Sequence, residues 1–210
     1  MARPSNTAER RAQIAGALVA VMAKHGYEGA SIADIAAKAR LAPGIVHYHF
    51  ANKLEILVEA VRAMTAEHEA VLEAAIDPAA NAPAQLAAMI DVHLGLGAHA
   101  DPARLACWVQ IAGEALRHDA VRVELEAALA AIARRVTAII ERGARARELA
   151  CPDPRAAAAA IVAAIQGYFV VAATTKAIIP RGTAAACALR MAEGLVHPNR
   201  PLAARRGVRR

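Results

Sequence analysis

Chemically useful side chains cluster on one short segment, residues 43–50, which reads PGIVHYHF. Pro43 suits a first helical turn, because that position needs no N–H, and two turns then run to about Phe50. Val46 and Phe50 lie four residues apart, so one face of such a helix can bury both. The remaining side chains stay outside the core and are predicted to contact a partner: Pro43, Gly44, Ile45, His47, Tyr48 and His49.

His47 and His49 raise the question of a metal site, because imidazole is a common zinc ligand. Residues two apart on a helix point about 200° away from each other, so this pair can chelate an ion only on a strand. Cys107, Cys151 and Cys187 lack metal-ligand spacing and are odd in number, which disfavours a disulfide framework. The sequence therefore predicts no metal, no cofactor and a reducing compartment.

A capped helix and a tight turn precede this segment. Ser31 can cap a helix, with Asp34 placed to return the bond. The apolar residues that follow recur at the spacing of one buried helix face: Ile32, Ile35, Ala36 and Ala39. Residues 40–42 break the pattern, so two short helices meet at a turn. This arrangement predicts a DNA reader whose second helix enters the major groove.

Residues from about Thr7 to Leu57 resemble the DNA-binding domain of the TetR family of bacterial transcriptional regulators. The resemblance rests on the order and spacing of Gly26, Tyr27, Ser31, Asp34, Ile35, Ala36, Gly44, Tyr48, Phe50 and Lys53. Arg40 stands where family members commonly have glycine, and Ala42 where they often have a capping serine or threonine. Each departure costs on the order of 1 kcal/mol, which a packed domain tolerates.

The resemblance implies a role for each residue of the second helix. Its first residues, 42–45, and His47 face base edges, whereas Tyr48 and His49 reach the DNA backbone. Lys53 is placed for a phosphate, and Arg3, Arg10, Arg11 and Arg40 are further candidates. The full predicted DNA-binding set is Ser31, Ala42, Pro43, Gly44, Ile45, His47, Tyr48, His49 and Lys53.

The distribution of charge supports a polyanionic partner for the N-terminal part. The chain has 210 residues and a formal net charge of +6. Residues 1–53 carry +4, residues 54–197 carry −3, and residues 198–210 carry +5. We expect a helix-turn-helix domain at 1–54, an effector-binding and dimerisation domain at 55–197, and a basic, disordered tail at 198–210.

The fold is predicted to be all-α, with about nine helices. Hydrophobic residues make up 57% of the chain but aromatic residues only 3%, which suits closely packed helices. Beyond the helix-turn-helix, helices are expected at about 7–25, from Asn52 past residue 72, and at 84–98, 102–116, 119–147, 156–178 and up to 196. The uncharged stretch 156–175 is rich in alanine, which favours a subunit interface over a membrane span.

The resemblance implies that the larger domain dimerises through the last two helices and holds an unidentified small-molecule effector. Ten residues that interrupt apolar faces are predicted to line its site: Met64, His68, Met89, His93, Cys107, Trp108, Ile111, Glu114, Gln166 and Phe169. Each has a structural alternative, since a lone histidine or tryptophan is more often a core residue, and Glu114 can simply pair with Arg117. Residues 44–50 also resemble the choline-sensing branch of the family.

The sequence contains no glycine-rich phosphate loop and no nucleophile elbow, which disfavours an enzyme. Its polar N-terminus does not indicate export. We therefore expect a cytoplasmic, homodimeric, TetR-like repressor that leaves a pseudo-palindromic operator when an effector binds. Two alternatives remain: a helical small-molecule carrier or enzyme with a vestigial DNA motif, and a protein-interaction module.

Overall fold

A computed structural model describes residues 6–94, 102–175, 177–199 and 202. Over these residues the chain forms nine helices and no strand, which confirms the predicted all-α class. The helices are α1 (Asn6–Gly29), α2 (Ile32–Ala39), α3 (Pro43–His49), α4 (Lys53–Ala75), α5 (Ala82–Leu94), α6 (Pro102–Ala115), α7 (Asp119–Arg145), α8 (Pro154–Thr174) and α9 (Ala184–Val196).

Several helix ends differ from the prediction, and three of them are informative. Because α1 begins at Asn6, Thr7 lies inside its first turn and is not its cap. α5 begins two residues early, and the predicted residues 95–98 lie outside the described residues. α8 ends at Thr174 and not near 178, because Thr175 adopts an extended conformation, with φ −131° and ψ 157°. A β-branched residue is well suited to that conformation.

The contacts divide the chain into two compact units. The first comprises residues 1–68 and 101–127, and the second comprises residues 69–100 and 128–210. The first unit contains α1–α3, most of α4, α6 and the start of α7. The second contains the rest of α4 and α7 together with α5, α8 and α9. The boundaries proposed from the sequence, at 54 and 197, concern function and remain a prediction.

The core of the first unit holds the helix-turn-helix in place. α1 contributes Ile14, Leu18 and Met22, which are at most 1% exposed, and contacts α2, α3 and α6. Val46 of α3 and the following Phe50 are buried in the same core, as predicted. Burial of each large apolar side chain stabilises the fold by about 1.5–3 kcal/mol. The two anchors therefore fix the short α3 by its inward face.

The second unit is built around α8 and α9, which pack on each other and on α5. By length and composition alone, α8 is the one described helix that could cross a membrane. Its buried residues, Ala158, Ile161 and Ile165, pack in the core of this unit together with Met89 and Ile90 of α5. α8 therefore has a place in a folded helical core.

Two residues of the predicted tail contact the rest of the chain, and the disorder expected for the tail as a whole remains a prediction. The Asn199 N–H donates to the Glu148 carbonyl at 3.0 Å, and the Leu202 N–H donates to Glu193 Oε1 at 2.8 Å. Leu202 is also buried, because it packs against the core of the second unit. Residues 200, 201 and 203–210 lie outside the described residues.

Candidate functional site

The predicted capping box is formed at the start of α2. Ser31 Oγ accepts from the Asp34 N–H at 3.1 Å, and Asp34 Oδ2 accepts from the Ser31 N–H at 3.2 Å. The Ser31 hydroxyl also donates to the Asp34 carboxylate, and these bonds lower the pKa of Asp34. Ser31 therefore performs a structural task in the same place where the resemblance implies a DNA contact.

The turn shows both departures that the sequence indicated. Arg40 adopts a left-handed conformation, with φ 55° and ψ 44°, and its N–H donates to carbonyls in the last turn of α2. Ala42 precedes α3 in an extended conformation and provides no side-chain cap. Glycine and a hydroxyl residue would each suit these positions better. The turn is nevertheless formed, because α2 and α3 are anchored in one core.

The outer face of α3 is the candidate DNA surface. Val46 is fully buried, whereas Tyr48 is 82% exposed and Ile45 is 42% exposed. Pro43, Gly44 and His47 are exposed as well, and His49 is partly buried against the edge of the Tyr48 ring. A helix of seven residues is about 10 Å long, which fits within a major groove about 12 Å wide.

Lys53 is used inside the protein. Its Nζ donates to the Tyr27 carbonyl at 2.8 Å and to the Glu28 carbonyl at 3.3 Å, and it lies 4.4 Å from the centre of the Tyr27 ring. These carbonyls follow Gly26, whose φ of 73° and ψ of 168° interrupt the helical conformation of α1, so Lys53 ties the short segment after the break to α4. An ammonium has three donors, so the same group still has capacity for a phosphate oxygen.

Two other arginines that were expected near phosphates also have internal partners. Arg11 contacts α3 and two glutamates of α4, so its guanidinium already has partners within the protein. Arg10 donates to Gln13 at 2.7 Å. Arg3 lies outside the described residues. Sequence spacing indicated where these cations lie along α1, but it did not indicate which of them bond to other residues of the protein.

Six of the ten predicted effector residues lie in the first unit. Met64, Cys107 and Ile111 are buried in its core, and Cys107 Sγ donates to the Val19 carbonyl at 3.2 Å. Glu114 is 6% exposed and pairs with Arg117 at 3.2 Å. This pairing is the alternative to an effector contact that the sequence suggested.

The last two residues of this group, His68 and Trp108, are partly buried. Burial first, and the charge of Arg104 second, lower the pKa of His68. Trp108 packs against the core of the first unit.

The other four predicted effector residues lie in the second unit. Met89 is fully buried, and His93 is 5% exposed. His93 Nδ1 lies 2.8 Å from the Met89 carbonyl, and since a carbonyl only accepts, this ring nitrogen carries the proton. Gln166 and Phe169 on α8 are partly buried, and Phe169 packs against the core.

The sequence did not predict a groove of about 500 Å³ in the first unit. Its lining includes small residues of α1 and α4 together with Lys24, Lys38 and Arg104. Arg104 is paired with Glu67 at 2.6 Å. The sequence feature that could have indicated this groove is a set of alanine and glycine residues along one face of α1, at residues 12, 15, 16 and 23.

No group of three or more His, Cys, Asp or Glu side chains in the described ranges could hold a metal ion. The candidate site consists of an exposed helix, its buried anchors and nearby cations. These features suit contact with a polyanion, in which phosphates position the protein and base edges specify the sequence.

Family models match both parts of the chain. Residues 14–60 match the model of the bacterial regulatory proteins of the tetR family, and residues 82–197 match the C-terminal domain of BetI-type transcriptional repressors. No curated protein matches the chain significantly.

Solved structures share the fold over most of the chain. A transcriptional regulator from Saccharomonospora viridis, in complex with choline, is 21% identical with a TM-score of 0.81, over 90% of this chain and 98% of that one. A TetR regulator from Haloarcula marismortui is 16% identical with a TM-score of 0.82, over 90% and 99%. A transcriptional regulator from Rhodococcus is 23% identical with a TM-score of 0.74, over 89% and 97%. Because the second family model alone spans more than half of the chain, this protein belongs to the TetR family of bacterial transcriptional regulators.

Proposed function

We propose that this regulator is a ligand-responsive repressor that binds a pseudo-palindromic operator as a homodimer. The observation that carries the proposal is α3, whose inward side chains are buried while Tyr48 is 82% exposed. The Tyr48 ring packs against the neighbouring His49 but leaves most of its surface open to solvent. Contact with DNA would cover this exposed aromatic surface.

Base recognition by this surface is sparse. Pro43, Gly44 and Ile45 offer shape and apolar contact, which suits thymine methyl groups. His47 is the residue of this face that can hydrogen-bond a base edge, and Tyr48 and His49 are assigned to the DNA backbone. Specificity should therefore depend strongly on the shape and deformability of the operator.

Dimerisation is assigned to α8 and α9. A groove of about 350 Å³ lies among these helices and α5, and its lining consists of alanine, isoleucine, leucine and methionine side chains. Met191 and Leu195 in this lining are 54% and 37% exposed. Residues 156–174 of α8 carry no charge, which lets a second copy approach closely, so the groove is assigned to the partner protomer.

The proposed effector is a small organic cation of the choline class. Its support is the match of residues 82–197 to BetI-type repressors and the choline bound to the similar regulator from Saccharomonospora viridis. Aromatic rings bind such cations through their faces. The ten effector residues predicted from the sequence remain candidates. The effector can act only through the difference between its affinities for the DNA-competent and DNA-incompetent dimers.

The carrier, enzyme and interaction-module alternatives are not favoured, because the family consists of transcriptional regulators. A repressor of this kind works in the cytoplasm, where bacterial DNA lies. We assign the protein to that compartment as part of the same proposal.

The test of DNA reading is selection of random duplex DNA on the purified full-length protein, followed by sequencing of the retained fraction. We expect an enriched inverted repeat. Tyr48→Ala should lose most of this binding. Tyr48→Phe shows how much of the loss is due to the hydroxyl and how much to the ring. Val123→Ala is the matched control, since Val123 is exposed on α7. Failure of the wild type to enrich any sequence would refute the proposal.

The dimer and effector parts have their own tests. Leu195→Glu should convert the dimer to a monomer in analytical ultracentrifugation, whereas Val123→Glu should not. Choline added to the preformed operator complex should release the DNA. An operator complex that no organic cation releases would remove the effector assignment and leave DNA reading intact.

A further inference from the structure

Arg11 is turned inward from α1, although it lies among residues that carry net positive charge. Its side chain is only 26% exposed. The neighbouring Arg10 makes a local bond to Gln13, whereas the polar contacts of the Arg11 guanidinium cross to residues 49–59. Adjacent arginines of one helix thus have different tasks.

The first of these tasks concerns the end of α3. Arg11 Nη1 donates to the carbonyl of His49, the last residue of α3, at 2.6 Å. The last carbonyls of a helix have no partner within it, and a cation beside them is favoured. The Arg11 guanidinium also lies 4.1 Å from the centre of the Phe50 ring. Arg11 therefore contacts both the C-terminal end of α3 and the buried ring that anchors it.

The second task concerns the start of α4. Arg11 lies 3.3 Å from Glu55 Oε1 and 3.0 Å from Glu59 Oε2. These glutamates are four residues apart, so they share one face of α4. The other oxygen of Glu55 accepts from the Ala51 N–H at 2.9 Å, in the turn after α3. That bond first, and the contact with Arg11 second, lower the pKa of Glu55.

We propose that Arg11 is a positioning residue for operator binding: it fixes the orientation of α3 on α1 and α4 and does not contact a phosphate. The proposal rests on the proposed DNA-reading function. Two carboxylates surround one guanidinium, so the local charge is negative and unsuited to an anion. The planar guanidinium of arginine can contact a carbonyl, two carboxylates and a ring at the same time. The ammonium of lysine is a compact point charge, so this geometry favours arginine over lysine.

Removal of Arg11 should disturb the end of α3 in particular. Without the guanidinium, Glu55 and Glu59 face each other as like charges at i and i+4, beside a carbonyl that has lost its donor. Like-charge pairs at this spacing are destabilising. The end of α3 should therefore move away from α4, while the core residues on its inward face keep it helical.

The first test compares Arg11→Met, Arg11→Lys and Arg10→Met in the full-length protein on the selected operator. We expect Arg11→Met to weaken binding about tenfold, with Arg11→Lys in between, and the log–log dependence of affinity on salt to keep its slope. A lost phosphate contact would instead reduce the slope by about 0.9. Arg10→Met shows the effect of removing one positive charge from the same turn. A reduced slope for Arg11→Met, or unchanged affinity, overturns the proposal.

The second test does not need DNA, so it also decides the case in which the wild type selects no operator and the proposed function fails. The Phe50 N–H donates to the Val46 carbonyl, and the Ala51 N–H donates to Glu55. Hydrogen exchange at these two amides should be faster in Arg11→Met than in the wild type, with α8 unchanged. Unchanged exchange at residues 50 and 51, or a uniform rise along the chain, overturns the proposal. If Arg11→Met does not fold, Arg11→Lys gives the same readout.

Discussion

Arg40 is the position where a single substitution should improve the fold and weaken the function. Its φ of 55° lies in the left-handed region, where the backbone of a residue other than glycine or asparagine is strained. The side chain is exposed beside α3, where a cation suits a phosphate. We expect glycine at this position to stabilise the first unit and to remove one phosphate contact.

The magnitude is obtained by comparing glycine with alanine at the same position. The left-handed conformation costs a residue with a Cβ about 1–2 kcal/mol, and glycine avoids this cost. Glycine also loses more backbone freedom on folding, which offsets about 0.5–1 kcal/mol. Arg40→Gly should therefore be more stable than Arg40→Ala by about 0.5–1 kcal/mol. Both variants lack the charge, so the difference isolates the backbone conformation.

The assay is urea unfolding followed by the fluorescence of Trp108, the single tryptophan, which packs against the core of the first unit. Arg62 is the matched control, because it is exposed in the interior of α4 within the first unit. There the order should reverse, with glycine less stable than alanine by about 1 kcal/mol. Operator titration at several salt concentrations should show the same slope, reduced by about 0.9, for both variants at position 40.

An Arg40→Ala variant at least as stable as Arg40→Gly would refute the reasoning, because it would mean that the left-handed conformation imposes no strain in this turn. An unchanged salt slope would separately remove Arg40 from the phosphate contacts.

Four further substitutions test packing and titration. Gly143→Ala would place a Cβ 2.6 Å from that of Ala82 and should lower the free energy of unfolding by about 1–3 kcal/mol, whereas Gly113→Ala, with nothing within 4 Å, should raise it by about 0.5–1 kcal/mol in urea titrations. A backbone N–H first and an arginine second lower the pKa of Glu55, so this stabilisation is present above the ordinary glutamate pKa of about 4.3 and is lost as pH falls through the lowered value; Glu55→Gln should flatten that loss in urea midpoints. Burial first raises the pKa of Tyr27 to about 12, so stability falls as pH rises from 10.0 to about 12, and Tyr27→Phe should remove this fall in alkaline unfolding curves.

Local pattern was sufficient to predict the helix-turn-helix. The capping box at Ser31 and Asp34, the break at Arg40 and the burial of Val46 and Phe50 all follow from spacing over a few residues. Each depends on the geometry of one helix or one turn. The same reasoning failed at the end of α8, because helical spacing does not show that the backbone becomes extended at Thr175.

The partners of long cations could not be predicted in this way. Lys53 bonds to carbonyls 25 and 26 residues earlier, and Arg11 bonds to glutamates more than 40 residues later. Helical periodicity places such residues on a face but does not say which distant groups that face meets. The surroundings of the candidate effector residues could not be predicted for the same reason. Met64, Cys107 and Ile111 are polarisable or apolar residues, and they are buried in the core.

The charge offered to DNA is consequently smaller than the composition suggests. Residues 1–53 carry a formal +4, but Arg11 is neutralised by two carboxylates and Lys53 is bonded to the end of α1. Arg11 joins α1 to α3 and α4, and Lys53 joins α4 to α1. We therefore expect both to affect DNA binding through the orientation of the reading surface, with Lys53 keeping a donor for a phosphate. Sparse hydrogen bonding to bases makes that orientation more important, because shape recognition tolerates little displacement of the helix. In this domain the internal cations set the geometry on which the exposed face of α3 depends.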